Sequence, residues 1–130
     1  EPIAQQINIV VKSEELGESY RLDDIHYETN SADISDRSKV ILDDFGKYLK
    51  QKTSIKVAIH GHTDNVGVET ENLVLSTDRA YSVKAYLEAI GVSSERLQFK
   101  GFGSSKPMAS NATEAGKIQN RRTEFVLLSK

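Results

Sequence analysis

Cysteine is absent from the 130 residues, which removes disulfides, thiolate nucleophiles and thiolate metal sites together. The absence fits a reducing or an oxidising compartment equally and does not locate the chain. No stretch approaches the roughly 20 consecutive apolar residues that span a bilayer, and residues 1–6 lack the basic start and apolar run of a signal peptide. Because it opens on Glu1 rather than Met, the sequence reads as a mature fragment or a piece of something longer. Any export signal, lipid anchor or membrane span is then expected outside it. An excess of positive charge is missing as well: 17 Lys and Arg stand against 19 Asp and Glu, for a formal net charge of -2. That argues against a nucleic-acid partner, whose footprint is a basic surface. No internal repeat, coiled-coil heptad or low-complexity tail interrupts the chain.

What remains is 38% hydrophobic and 28% charged, a balance that fills one core and covers it with a soluble surface. The length suits a single domain. Segments of period 2 alternate with segments of period 3.6, which predicts an α+β fold: an α/β sandwich with a mixed β-sheet, two main helices packed on one face and a short third helix. Residues 7–11 read as a strand, and residues 20–27, with Leu22, Ile25 and Tyr27 in imperfect alternation, as a second. Ser35 is placed to cap a helix whose stripe Ile41, Leu42, Phe45, Tyr48 and Leu49 runs towards Gln51. A strand follows, with Ile55, Val57 and Ile59 on one side and Lys56 and His60 on the other. Residues 61–71 break every periodicity and read as a loop. A second helix is expected over residues 75–90, closed by Gly91. Next come a strand over residues 96–101 with Leu97 and Phe99 buried, a polar stretch through Pro107, a short helix over 113–119 and a last strand over 123–128.

His60-Gly61-His62-Thr63-Asp64-Asn65-Val66-Gly67 is the densest cluster of polar candidates, where a buried strand ends and sheet folds tend to place ligand sites. The plainer reading is a turn in which Thr63, Asp64 and Asn65 satisfy backbone groups. Two histidines and one aspartate are too few for a firm zinc site, with the third histidine distant at His26. An acid–base enzyme built on His62 and Asp64 lacks an activated nucleophile, and Gly101-Phe102-Gly103 lacks the spacing of a phosphate-binding loop. Arg79 near the start of the second helix, and Arg121 and Arg122 before the last strand, could approach the same end of the sheet. With amides from Asn65, Asn72 and Asn120 the set suits a zwitterionic ligand, Asp64 receiving an ammonium and Arg79 a carboxylate. An ordinary surface ion pair is the alternative for each arginine.

The sequence also resembles the OmpA-like domain, the peptidoglycan-associating module of outer-membrane protein A, the peptidoglycan-associated lipoprotein and flagellar motor stator protein B. The resemblance is carried by His60-Gly61-His62-Thr63-Asp64 with Gly67, then Asn72, Leu75-Ser76, Arg79-Ala80, Val83, Tyr86-Leu87, Gly91-Val92 and Arg96-Leu97. It continues through Gly101-Phe102-Gly103, Pro107, Asn111, Thr113, Gly116 and Asn120-Arg121-Arg122, and covers residues 25–125. Departures are mild: Tyr27 stands where phenylalanine is commoner, Lys117 replaces a frequent arginine, and Glu69 and Glu71 make the loop more acidic.

The resemblance implies non-covalent binding of the diaminopimelate residue of the peptidoglycan stem peptide, tethering an envelope protein to the cell wall. It implies that Asp64 and Arg79 grip the charged centre of diaminopimelate, that Arg121 assists at the peptide carboxylates, and that Asn72 reaches the ligand from the loop. Thr63 and Asn65 flank Asp64, and Glu28 and Thr29 are expected to line the opposite wall. A binding domain rather than an enzyme is expected, without cofactor or metal. Its expected place is the periplasm, associated with the outer membrane or cell wall, and envelope proteins are possible partners. The alternative is a protein-interaction domain of the envelope with a non-functional wall-binding pocket. On this basis residues 1–18 form an N-terminal strand or linker and residues 19–130 the domain.

Overall fold

The computed structural model describes residues 19–21 and 32–129, with side chains for the second range. The strand expected over residues 7–11, most of that over 20–27, and Glu28 and Thr29 lie outside the described residues. In chain order the elements are β1 (Ser19–Arg21), α1 (Asp36–Gln51), β2 (Lys56–His62), α2 (Glu69–Ala89), a 3₁₀ turn (Ser94–Arg96), β3 (Leu97–Gly101), α3 (Glu114–Asn120) and β4 (Arg122–Ser129). The strands form a mixed sheet in the order β1-β4-β2-β3. The β2–β3 pair is parallel and joined through α2, whereas β4 runs antiparallel to β1 and β2. This is the expected α+β architecture.

Local chemistry explains both ends of α1. The Ser35 hydroxyl accepts from the Ser38 amide at 3.2 Å, Asp36 sits in the positive first turn and Lys50 in the negative last one. Its stripe Ile41, Leu42, Phe45, Tyr48 and Leu49 is buried, and the Phe45 ring meets that of Phe125 on β4 with centroids 4.6 Å apart. From α2 come Ala80, Val83 and Leu87, and from the sheet Val57, Ile59, Leu97 and Leu127, all in one core. Polar ties fix the helices to each other. The Tyr86 hydroxyl donates to Asp43 at 2.7 Å, and Lys50 Nζ donates at 2.8 Å to the Ile90 carbonyl, which the end of α2 leaves open. Arg96 fastens the base, its guanidinium reaching the carbonyls of Ile55, Leu49 and Lys52.

Three expectations shift, each for a physical reason. The strand ending at His60 runs on to His62, because Gly61 and His62 pair with Thr123 and Arg122 of β4 and Gly61 also with Gly101 of β3. α2 starts at Glu69 rather than at 75; its first turns bury no apolar stripe for periodicity to reveal, with Glu69, Thr70, Glu71, Leu73 and Val74 exposed. The loop therefore shrinks to residues 63–68. Phe99, expected in the core, is 40% exposed. It lies on β3 at the edge of the sheet and meets the Tyr81 ring at 5.2 Å instead.

One feature of the packing governs the site. A Cβ on Gly61 would stand 2.3 Å from the Ser76 carbonyl oxygen, and one on Gly101 equally close to the Thr77 amide, so α2 crosses the ends of β2 and β3 backbone to backbone. Gly61→Ala is expected to force the helix outward and cost about 1–3 kcal/mol, the usual penalty of overpacking. Urea denaturation should show a lower midpoint, and an unchanged midpoint would mean that the crossing is not tight.

Candidate functional site

The close crossing gives the loop after β2 its footing. Ser76 on α2 is fully buried; its hydroxyl accepts from the Gly103 amide at 2.9 Å. The Gly103 carbonyl in turn accepts from the Thr63 amide at 2.8 Å, and the Phe102 amide donates to Gly61 at 2.9 Å. Gly103 carries φ +56, a left-handed conformation that glycine adopts without penalty. The β2 and β3 ends and the start of α2 are thus laced together before any ligand chemistry is considered.

Asp64 stands on this footing with a side chain only 9% exposed. One carboxylate oxygen, Oδ1, accepts from the Val66 amide at 3.0 Å, an Asx turn. The other, Oδ2, receives the Arg121 guanidinium. Loop-closing and charge-pairing roles are divided between the two oxygens, so the turn reading and the ligand reading are both compatible with the geometry. Arg121 is 40% exposed and also lies 3.5 Å from Glu114, the first residue of α3. A guanidinium so open to water contributes on the order of 1 kcal/mol or less to stability through such a pair. It is therefore a partner that a stronger claimant can displace from Asp64 at small cost.

The remaining predicted residues fall into place unevenly. Asn72 donates from its amide to the Val66 carbonyl at 3.1 Å and at 3.5 Å to that of Asp64, bracing the loop from α2. Thr63 is buried, with its hydroxyl on the Asp64 carbonyl at 2.8 Å, and Asn65 is exposed at the tip. Arg79 is half-buried on α2 beside the core residue Ala80. Among the described residues the cation seen on the Asp64 carboxylate is Arg121. Asn120, expected among the converging amides, serves another end: fully buried, it accepts from the Met108 and Ala109 amides and donates to the Ala109 carbonyl and Asn111. It shapes the loop before α3. Arg122 departs too, pairing at 2.7 Å with Glu124 on β4.

Sequence reasoning missed Glu114, which heads α3 while Arg121 caps its far end, a seven-residue separation that the i,i+3 and i,i+4 rules do not flag. It also missed a cluster on the face of the sheet opposite the helices. Phe102 stacks on His62 at 5.1 Å and meets His60 edge-on at 4.8 Å, while Lys100 and Lys106 stand 5.1 and 5.3 Å from the same ring. His62 is buried with Nε2 3.5 Å from a Glu124 oxygen. No group of three or more His, Asp and Glu suited to a metal is gathered among the described residues.

Burial first, then the charges of His62, Lys100 and Lys106, push the His60 pKa below its ordinary 6.5, against a smaller opposing pull from Glu124. Below pH 6.5 the unfolded chain takes up a proton that folded His60 resists, so stability falls as pH drops from 6.5 towards the lower folded value. His60→Gln is expected to lose less stability than the parent between pH 7.5 and 5.5 in urea titrations. An equal loss in both would remove His60 from the account.

The frame is thus a mixed sheet packed against helices, with a buried aspartate on the loop that follows β2. Residues 26–121 match the OmpA family, and the chain belongs to that family. It is 44% identical over 87 residues to the "Peptidoglycan-binding protein ArfA" of Mycobacterium tuberculosis, covering 67% of this chain and 27% of that protein. To the "Peptidoglycan-associated lipoprotein" of Buchnera aphidicola it is 34% identical over 102 residues, 78% of this chain and 59% of the relative. The chain thus spans only part of the length of either relative. Among solved structures, the peptidoglycan-associated lipoprotein from Burkholderia pseudomallei superposes with a TM-score of 0.73 at 30% identity, covering 79% of this chain and 87% of that one. The cell wall anchor of the T6SS from Pseudomonas aeruginosa gives 0.76 at 25% identity, over 98% and 97% of the two chains.

Proposed function

We propose that this domain binds peptidoglycan non-covalently in the periplasm and so ties the protein that carries it to the cell wall, through the diaminopimelate residue of the stem peptide. The observation that carries the reading is the divided Asp64 carboxylate: one oxygen holds the loop, and the other faces a water-exposed guanidinium that Glu114 also attracts. A ligand with an ammonium and a carboxylate on one carbon matches such a set. Its ammonium takes Asp64, and its carboxylate takes the planar fork of Arg79, with Arg121 released to a second peptide carboxylate. Asn72, Thr63 and Asn65 frame the loop, and Glu28 and Thr29 belong to the opposite wall. Support comes from the names of relatives in the family, two of which state peptidoglycan binding or association. The chemistry asks for recognition alone, since nothing at Asp64 supplies an activated nucleophile.

Titration of the domain with a diaminopimelate-containing stem peptide, beside its lysine counterpart, tests the reading. The lysine peptide keeps the ammonium but lacks the adjoining carboxylate, so saturable binding is expected only with the first. Asp64→Ala and Arg79→Ala are each expected to weaken binding by about 30-fold or more while the circular dichroism spectrum stays that of the parent. That loss corresponds to the roughly 2 kcal/mol or more of a truncated, largely buried charge pair. Parent-like affinity in both variants would refute the clamp. A folded domain that ignores both peptides would point to protein partners in the envelope.

A further inference from the structure

We infer that Glu69 is a positioning residue for the Asp64 loop, acting through the turn after β3. An acid at the first position of a helix ordinarily serves that helix's own open amides or its dipole. Here the carboxylate crosses to another segment. The Ser104 amide donates to both Glu69 oxygens, at 3.2 and 3.4 Å, and the Ser104 hydroxyl donates to Oε1. The fit is close: a Cβ on Gly103 would stand 2.3 Å from Glu69 Oε2, so the carboxylate occupies the space that this glycine leaves. The N-cap residue, Val68, has no side chain able to tie the start of α2, which leaves Glu69 as the anchor between the first turn of α2 and the β3 turn.

What that turn holds gives the contact its consequence. Gly103, next to Ser104, accepts the Thr63 amide and donates to Ser76, and Thr63 adjoins Asp64. Without Glu69, the turn keeps its inner attachment at Ser76 and loses its outer one. The Gly103 carbonyl can then tilt away from Thr63, and the carboxylate of Asp64 shifts with the backbone that carries it. Glu69 touches no ligand in this scheme. It sets how often the loop presents Asp64 in the binding geometry, an effect that reaches affinity as a population term.

The affinity part of this inference rests on the peptidoglycan reading, and the backbone part does not, so the experiment reads both in the 130-residue chain. Amide hydrogen exchange is followed at Thr63, Gly103 and, as a reference in the sheet, Ile59; peptide affinity and Tm are measured alongside. Glu69→Ala is expected to speed exchange at Thr63 and Gly103 about fivefold with Ile59 unchanged, and to weaken stem-peptide binding by about the same factor, a modest loss suited to an exposed charge-assisted contact. Glu69→Gln keeps one oxygen acceptor for Ser104 and should recover most of both effects. Ser104→Ala removes only the hydroxyl donor, leaves the helix start intact and is expected to give an intermediate result, which also serves if Glu69→Ala loses stability overall. Unchanged exchange at Thr63 in Glu69→Ala and Ser104→Ala would overturn the inference. So would a glutamine variant no better than the alanine one. If the parent binds no peptide, the peptidoglycan reading fails, and the exchange rates still decide whether Glu69 positions the loop.

Discussion

Everything around Asp64 depends on how closely α2 approaches the ends of β2 and β3. Gly61 and Gly101 leave no side chain between helix and sheet, and the approach brings the buried Ser76 hydroxyl within reach of Gly103. A larger residue at either glycine would separate the layers; Ser76 would keep its own bond to the Leu73 carbonyl, and the buried Gly103 amide would lose its acceptor. Such an unsatisfied amide costs about 1–3 kcal/mol by itself. The contact is therefore cooperative: close packing makes the hydrogen bond possible, and the hydrogen bond makes close packing of a polar residue tolerable. The loop that carries Asp64 inherits its rigidity from this crossing.

Rigidity and availability pull against each other at Asp64, and the structure resolves the conflict by splitting the carboxylate. A buried acid with both oxygens committed to the fold would be stable and useless for binding. One with neither committed would carry a large desolvation cost. Fixing Oδ1 in the Asx turn lowers that cost and sets the direction of the group, while Oδ2 pairs with Arg121, whose exposure keeps the pair weak. Glu114 offers Arg121 a second carboxylate at 3.5 Å, so the guanidinium can leave Asp64 without becoming isolated. Across the sheet, the rings of His60, His62 and Phe102 gather beneath the same strand ends.

Periodicity made most of this architecture legible. The stripe of α1, the alternation of β2, and Gly91 after α2 all mark elements at or close to where the structure has them. The misreadings share one cause: local patterns report on burial, and burial is decided by partners distant in sequence. Glycine at 61 looks like a loop and is a strand residue, because only glycine fits under Ser76. The first turns of α2 look irregular because their contacts with the neighbouring loops are polar and bury no apolar stripe. Phe99 looks like core, but its strand lies at the sheet edge, a fact that no single segment encodes. At the site, the sequence marks Asp64, Arg121 and Asn72 as candidates, and the structure brings all three to one loop. Asn120, a further candidate amide, is buried and serves the 108–111 loop instead. Glu28 and Thr29, expected on the opposite wall, lie outside the described residues.

The composition of the site from remote segments has a consequence for how folding and recognition are linked. Asp64 and its guanidinium partner are 57 residues apart in the chain, and the Gly103 carbonyl that seats Thr63 comes from a third segment. None of these contacts exists in the unfolded chain, so the unfolded state has no preorganised site and binds a zwitterion no better than free amino acids do. A ligand that engages Asp64 then favours the folded state by its full mass-action term, about 2.7 kcal/mol at a hundred times its dissociation constant. That increment belongs to the folded state as a whole, the crossing of α2 with the strand ends included. Anchoring to a large, fixed polymer would in this way reinforce the packing that makes anchoring possible.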